Sequence, residues 1–136
     1  MAILKVLVTF VVVLFALAAY APTRADTAAA RAIKNPVAAT PASITAGAAA
    51  FKKYCAFCHG ADAKGNGPLA PKDSNPPDLT DAKWTLGGTD GEIYTVITTG
   101  AGPDSKMVGF EGKMPDQDLW NIINYLRSLG PKPAAR

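Results

Sequence analysis

Two cysteines stand three residues apart, Cys55 and Cys58, with Ala56 and Phe57 between them and the chain's only histidine, His59, directly after. There is no third cysteine. A disulfide between the two would close so small a loop that it would remove almost no unfolded-state entropy. A structural zinc site needs four ligands, and two cysteines and one histidine fall short of that. A thioredoxin-like redox pair belongs in a strand–helix–strand setting, and no alternating run of strand length exists in this chain. A lone histidine is most often a core bystander, but not one adjoining such a pair. The spacing suits covalent attachment of a haem. Two thiols on one helical turn can each add to a porphyrin vinyl group, forming thioethers. The next residue then brings its imidazole to the iron as the proximal ligand.

Such a group would supply what the rest of the chain lacks. The 136 residues allow one domain, and the first 25 carry 20 of the 66 apolar residues and no acid. Of the 46 apolar residues beyond them, 19 are alanine, which leaves few large side chains for a core. Domains this small are marginal and often add a metal, a disulfide or a bound group. The net charge of +3 shrinks once Lys5 and Arg24 are set aside, leaving 12 basic against 11 acidic residues. That near-neutral balance excludes a strongly basic nucleic-acid binder.

Met1 to Lys5 is a short positive start, and Val6 to Ala21 runs 16 residues without charge. Pro22-Thr23-Arg24-Ala25 then presents small residues where a signal peptidase reads, so residues 1–25 are expected to be a signal peptide cut after Ala25. Ala19-Tyr20-Ala21 is a second cleavage candidate, although it would leave Pro22 beside the scissile bond. An uncleaved membrane anchor is the alternative, but 16 residues fall short of the roughly 20 needed to span a bilayer. In either case the folded part is exported. Asp26 to Ala42 (26–42) is alanine-rich, with Pro36 and Pro41 and no large periodic apolar face, and reads as a flexible linker. The domain is expected over residues 43–130, with a disordered tail over 131–136.

Within that domain Thr45 can cap a first helix, with Ala48, Phe51 and Cys55 on one face. Gly60 to Asp78 is rich in glycine, asparagine and proline and reads as loop. Thr89-Asp90-Gly91-Glu92 is a capping-box pattern ahead of Ile93, Val96 and Ile97, and Gly100 ends that short helix. Asp116 to Leu129 carries Leu119, Ile122, Ile123 and Leu126 on one stripe and Arg127 in its last turn, with Gly130-Pro131 as the stop. Its start falls either on Pro115 as first residue or on Asp116 as cap. The fold class is all-α, with three or more helices joined by long loops that need an organising group.

Gly47, Phe51 and Cys55 at steps of four, then Cys58-His59-Gly60, resemble the first helix and haem site of class I c-type cytochromes. Trp120-Asn121-Ile122-Ile123-Asn124-Tyr125-Leu126-Arg127-Ser128-Leu129 resembles their last helix. Together with Gly65-Asn66-Gly67 and the segment from Thr89 to Gly100, the match to the small bacterial monohaem type covers about Ser43 to Gly130. The resemblance implies a cytochrome c fold wrapped around one covalently bound haem c. In that fold the terminal helices cross closely, Gly47 letting the chain approach Tyr125. It also implies an axial methionine opposite His59, and a thioether ligand raises the reduction potential. The domain offers Met107 and Met114. Pro115 after Met114 fits the local pattern of such ligands, whereas Val108 follows Met107. The family's ligand stands about 18 residues before the aromatic of the last helix, which is the spacing of Met107 to Tyr125, against 11 for Met114. Met107 is therefore the expected iron ligand, and Met114 the staple of the last helix.

The same resemblance implies a proline carbonyl accepting the proximal imidazole's other N–H. Pro77 fits that role best, with Pro68 and Pro71 as rivals. Trp84 is the candidate to donate its indole N–H to a haem propionate, or else packs in the core. Lys52, Lys53, Lys64, Lys72, Lys83, Lys106 and Lys113 could ring an exposed haem edge and steer an acidic partner, or form ordinary solvated surface. The implied function is that of a periplasmic, monomeric single-electron carrier rather than an enzyme. It would shuttle between redox protein donors and acceptors and reach the membrane through partner complexes, or directly if the leader is kept. The alternative is a fixed haem-bearing subunit of a dehydrogenase or oxidase complex.

Overall fold

The computed structural model describes residues 28–131 and places five helices there: α1 (Ala28–Ala32), α2 (Pro41–Tyr54), α3 (Ala56–His59), α4 (Asp90–Thr99) and α5 (Asp116–Leu129). The leader expected over 1–25, and the tail beyond Pro131, lie outside the described residues. No strand occurs among the described residues, only one isolated antiparallel bridge between Gly100 and Val108. The all-α expectation holds.

Helix α2 begins earlier than the sequence predicts. Its cap is Thr40, not Thr45, and the Thr40 hydroxyl accepts the Ser43 N–H at 3.2 Å. Pro41 follows at the first helical position, where its missing N–H costs nothing and its fixed φ suits the helix. Residues 28–40 are not a free linker either. Ala30 of α1 is buried, and Arg31 donates its Nε–H to Glu92 Oε1 at 2.9 Å. Asn35 donates to Asn124 Oδ1 at 2.9 Å, and Asn124 in turn donates to the Val37 carbonyl at 3.1 Å. This strap docks through polar bonds and small contacts, so it leaves no apolar periodicity to read. Gly91 makes room for it, since a Cβ there would stand 2.0 Å from the Ala30 carbonyl oxygen.

The centre of the fold is the packing of α2 against α5. Gly47 permits it: a Cβ at that position would lie 1.9 Å from the Asn121 carbonyl oxygen and 2.9 Å from Tyr125 Cβ. Phe51 meets the Tyr125 ring at 5.4 Å between centroids, and Phe51, Leu119, Ile122 and Ile123 are the largest fully buried side chains. Ser43 donates to Asn121 Oδ1 at 2.7 Å and accepts from Asn124 at 2.8 Å, so the polar groups buried at this crossing are paired. Helix α4 carries both halves of its capping box between Thr89 and Glu92. Its β-branched residues are poor helix formers, and Ile93 and Ile97 are held by burial instead. Pro115 occupies the cap position of α5 itself, without a side-chain bond, and Asp116 is the first helical residue.

The long loop after α3 is tied to the segment it follows. Gly65 N–H bonds the His59 carbonyl at 2.8 Å, Gly67 the Cys58 carbonyl at 3.1 Å, and Leu69 the Phe57 carbonyl at 2.9 Å. Leu79 then returns to the Ala63 carbonyl at 2.8 Å. Gly67 cannot carry a side chain here, because its Cβ would fall 2.4 Å from the Phe57 carbonyl oxygen. The loop is thus laid directly along the backbone of Phe57 to His59.

A candidate cofactor-attachment site

One deep cavity opens beside this loop and contains about 860 Å3 of empty space, its mouth included. Cys55 and His59 line it from the α2–α3 junction, Pro77 and Leu79 from the loop, and Met107 from the segment between α4 and α5. Ile93, Val96 and Ile97 of α4, with Ile122 and Leu126 of α5, give it apolar walls. Trp84 to Gly87 close another side. Cys58 faces an adjoining depression together with Pro71, Pro76 and Lys106, and Met107 borders that depression too. The structure therefore brings Cys55, His59 and Met107 around one cavity, with Cys58 on the neighbouring depression that shares Ser105 and Met107 with it.

Both thiols are free, although they stand on one turn. Burial, with a smaller contribution from the charge of Cys58, pushes the Cys55 thiol up to about 12. Reactive redox cysteines need a lowered pKa, so this environment argues against a dithiol redox pair. Burial lowers the pKa of His59, and the backbone of Pro77 opposes that shift without cancelling it. The ring is thus kept neutral, the form that can ligate a metal. Its Nδ1 is buried and makes no hydrogen bond of regular geometry, although Pro77 is the backbone group acting on the ring. Among the described residues no three His, Cys, Asp or Glu side chains gather as a metal cluster. An apolar cleft with the Cys55 thiol, a neutral imidazole and a thioether on its walls, and the Cys58 thiol on the depression beside it, fits a covalently held iron porphyrin.

Met114 is placed elsewhere. It is 5 % exposed, packed in the core with Leu119 and Trp120, and lines neither space. Trp84 does line the cavity, but its indole N–H donates to the Asp81 carbonyl at 3.2 Å. A propionate bond from Trp84 would have to replace that one. The seven lysines are all exposed yet do not form a ring. Lys83 borders the cavity and Lys106 the depression, where it pairs with Asp73 at 3.5 Å. Lys53 lies over Tyr54 at 4.6 Å, and Lys113 donates to the Gly109 carbonyl at 2.9 Å. Lys52, Lys53, Lys64, Lys72 and Lys113 border neither space.

Two features of the site were not anticipated. Ala63 is wholly buried at φ +60°, where its carbonyl anchors Leu79 beside the cavity, and no sequence signal marks an alanine for that conformation. Arg127, read from sequence only as a last-turn cation, binds Asp90 and the Gly88 carbonyl behind the Trp84 wall.

Residues 42–126 match the family model described as cytochrome C oxidase, cbb3-type, subunit III. The cbb3-type cytochrome c oxidase subunit CcoP of Rubrivivax gelatinosus is 35 % identical over 98 residues, covering 71 % of this chain and 29 % of that protein. CcoP of Rhodobacter capsulatus is 43 % identical over 97 residues, covering 68 % and 31 %. The chain thus spans about a third of the length of these curated relatives. Among solved structures, the reducing HAO-like protein complex of Kuenenia stuttgartiensis aligns with a TM-score of 0.63 and 26 % identity, over 73 % of this chain and 50 % of that one. Cytochrome cL of Methylophaga aminisulfidivorans aligns at 0.55 and 24 % identity, over 71 % and 57 %, a likeness of fold.

Proposed function

This chain belongs to the family of cytochrome c oxidase, cbb3-type, subunit III, and carries a cytochrome c electron-transfer domain; from that premise we propose that it works as the haem-bearing, electron-transferring subunit of a larger membrane redox complex. In this reading Cys55 and Cys58 would hold one haem c through thioethers, and His59 and Met107 would be the residues that hold its iron. The haem supplies reversible one-electron chemistry at its iron. The chain's own residues do the rest. The apolar walls from α4 and α5 exclude water, and Pro77 orients the His59 ring through its carbonyl. With His59 and Met107 both committed to the iron, the domain would pass electrons instead of transforming molecules. The observation that carries the reading is that Cys55, His59 and Met107 line a single apolar cavity while Met114 lies in the core.

Of the two roles expected from the sequence, free shuttle and fixed subunit, the second is preferred because the curated relatives are oxidase subunits. The leader expected over 1–25 and thioether attachment of a haem would both support a periplasmic location for the domain. No described helix is long and apolar enough to cross a membrane. The test is a native gel of detergent-solubilised membranes and of the soluble periplasmic fraction, stained for haem peroxidase activity and probed with antibody to this chain. The haem-stained chain should run in a membrane-derived assembly far larger than one copy. Recovery of the chain alone in the soluble fraction would return the role to a free shuttle.

A further inference from the structure

The Pro77 carbonyl can act on His59 only if the backbone after it is held, and the local sequence offers few means of holding it. Pro76 and Pro77 both lack an N–H, so neither anchors the segment by donating a backbone bond. The Pro77 ring locks φ but not ψ, and ψ is the angle that aims its carbonyl. The chain beyond it is fixed at two points. Leu79 N–H bonds the Ala63 carbonyl at 2.8 Å. Asp78 Oδ1 accepts the Thr80 N–H at 2.7 Å and the Thr80 hydroxyl at 2.6 Å, closing a side-chain turn over residues 78–80. The Thr80 hydroxyl bond, and then the N–H bond, hold the Asp78 carboxyl below its ordinary value, so it remains an acceptor for both. On the other side, Gly65 stands between this segment and the histidine. Its N–H bonds the His59 carbonyl at 2.8 Å, and a Cβ on it would lie 2.1 Å from the Pro76 carbonyl oxygen and 3.2 Å from that of Pro77. His59, Pro77 and Asp78 all border the same cavity.

We propose that Asp78 is a positioning residue for the His59 imidazole: by holding Thr80 it fixes the backbone that aims the Pro77 carbonyl at His59 Nδ1. That nitrogen is buried and makes no hydrogen bond of regular geometry, so the aim of the Pro77 carbonyl decides how firmly its N–H is held. A firmly held N–H makes the other ring nitrogen a more basic ligand. Asp78 does not bond the imidazole itself; it acts through residues 77–80. Its carboxylate is also the acidic group among the described residues that line the cavity. Asp78 therefore has two separable effects, one of geometry through Thr80 and one of charge. Asparagine at this position keeps the geometry, since its Oδ1 accepts the same two bonds, and removes the charge. Thr80→Val does the reverse, leaving the charge and deleting the hydroxyl bond.

This inference rests on the haem reading above, and its test separates the two. Full-length holoprotein is prepared for wild type, Asp78→Asn, Asp78→Ala and Thr80→Val. Each is measured for solvent exchange of the His59 Nδ1 proton, by NMR of the ferrous form, and for midpoint potential. Asp78→Ala should speed the exchange about tenfold, the order expected for loosening one neutral hydrogen bond. Thr80→Val should speed it by a smaller factor, and Asp78→Asn should leave it as in wild type. The potential should rise in all three: from lost charge in Asp78→Asn, from a less basic imidazole in Thr80→Val, and from both, hence most, in Asp78→Ala. Exchange as slow as wild type in both Asp78→Ala and Thr80→Val would overturn the proposal and leave Asp78 a stiffener of its loop. If Asp78→Ala yields no holoprotein, the exchange rate in Thr80→Val decides the matter. Wild-type chain that takes up no covalent haem would overturn the haem reading, and this proposal with it.

Discussion

Replacing Gly47 with alanine tests the helix crossing on which the cavity depends. In an exposed helix interior this change is stabilising by about 1 kcal/mol, because alanine is the better helix former. Here the added Cβ would meet the Asn121 carbonyl oxygen at 1.9 Å, its carbon at 2.5 Å and Tyr125 Cβ at 2.9 Å. Two of those atoms are α5 backbone, so no rotamer change relieves them and the helices must separate by roughly 1 Å or more to restore contact distances. That separation loosens Phe51 against Tyr125 and the buried Ile122 and Ile123 together. Overpacking typically costs about 1–3 kcal/mol, and a rigid backbone clash belongs at the upper end. After the propensity gain the net loss is about 1–2 kcal/mol. Guanidinium unfolding of the ferric holoprotein, followed by tryptophan fluorescence, should show a lower midpoint with an unchanged slope. An unchanged or raised midpoint would mean that α2 and α5 do not cross as described.

Arg31→Gln should cost about 1 kcal/mol, since it leaves the buried Glu92 carboxylate with Thr89 alone while Arg31 is itself 43 % exposed and solvent-screened. Burial raises the Glu92 pKa, but the bonds from Thr89 and Arg31 outweigh it and leave the folded value lowered. Its contribution is therefore present above the ordinary carboxylate pKa and fades as pH falls through the lower folded value, so wild type and Arg31→Gln should converge in stability on acidification. Cys55→Ala and Cys58→Ala should each leave one thioether, detectable as an altered pyridine haemochrome spectrum, and the double change should yield little holoprotein. The haem-free domain should lack a cooperative melt by calorimetry, because a haem would fill the cavity lined by α2, α4, α5 and the loops. Asn124→Ala should destabilise by about 1–3 kcal/mol in the same unfolding assay, because Ser43 Oγ, the Asn35 amide and the Val37 carbonyl each lose one hydrogen bond together.

What the sequence made legible is what rests on short-range chemistry. Cys55, Cys58 and His59 mark a candidate attachment site by spacing alone, and Thr89 with Glu92 marks the start of α4 through two reciprocal bonds. The stripe of Leu119, Ile122, Ile123 and Leu126 marks α5 by its period. The illegible parts depend on distant partners. The strap at 28–40 is held by Arg31 to Glu92 and Asn35 to Asn124, contacts across 61 and 89 residues that no local pattern encodes. The start of α2 at Pro41 was hidden because alanines neither interrupt nor announce a helix. Arg127 reads as a generic last-turn cation until Asp90 and Trp84 are brought beside it.

The central claim, a haem c ligated by His59 and Met107, is tested most directly by the ferric optical spectra of wild type, Met107→Ala and Met114→Leu. Wild type should show the methionine–iron charge-transfer band. Met107→Ala should lose it and bind added imidazole or cyanide readily. Met114→Leu, a near volume-conserving change at a core position, should keep it with a modest loss of stability. A band that survives Met107→Ala and disappears in Met114→Leu would contradict the assignment.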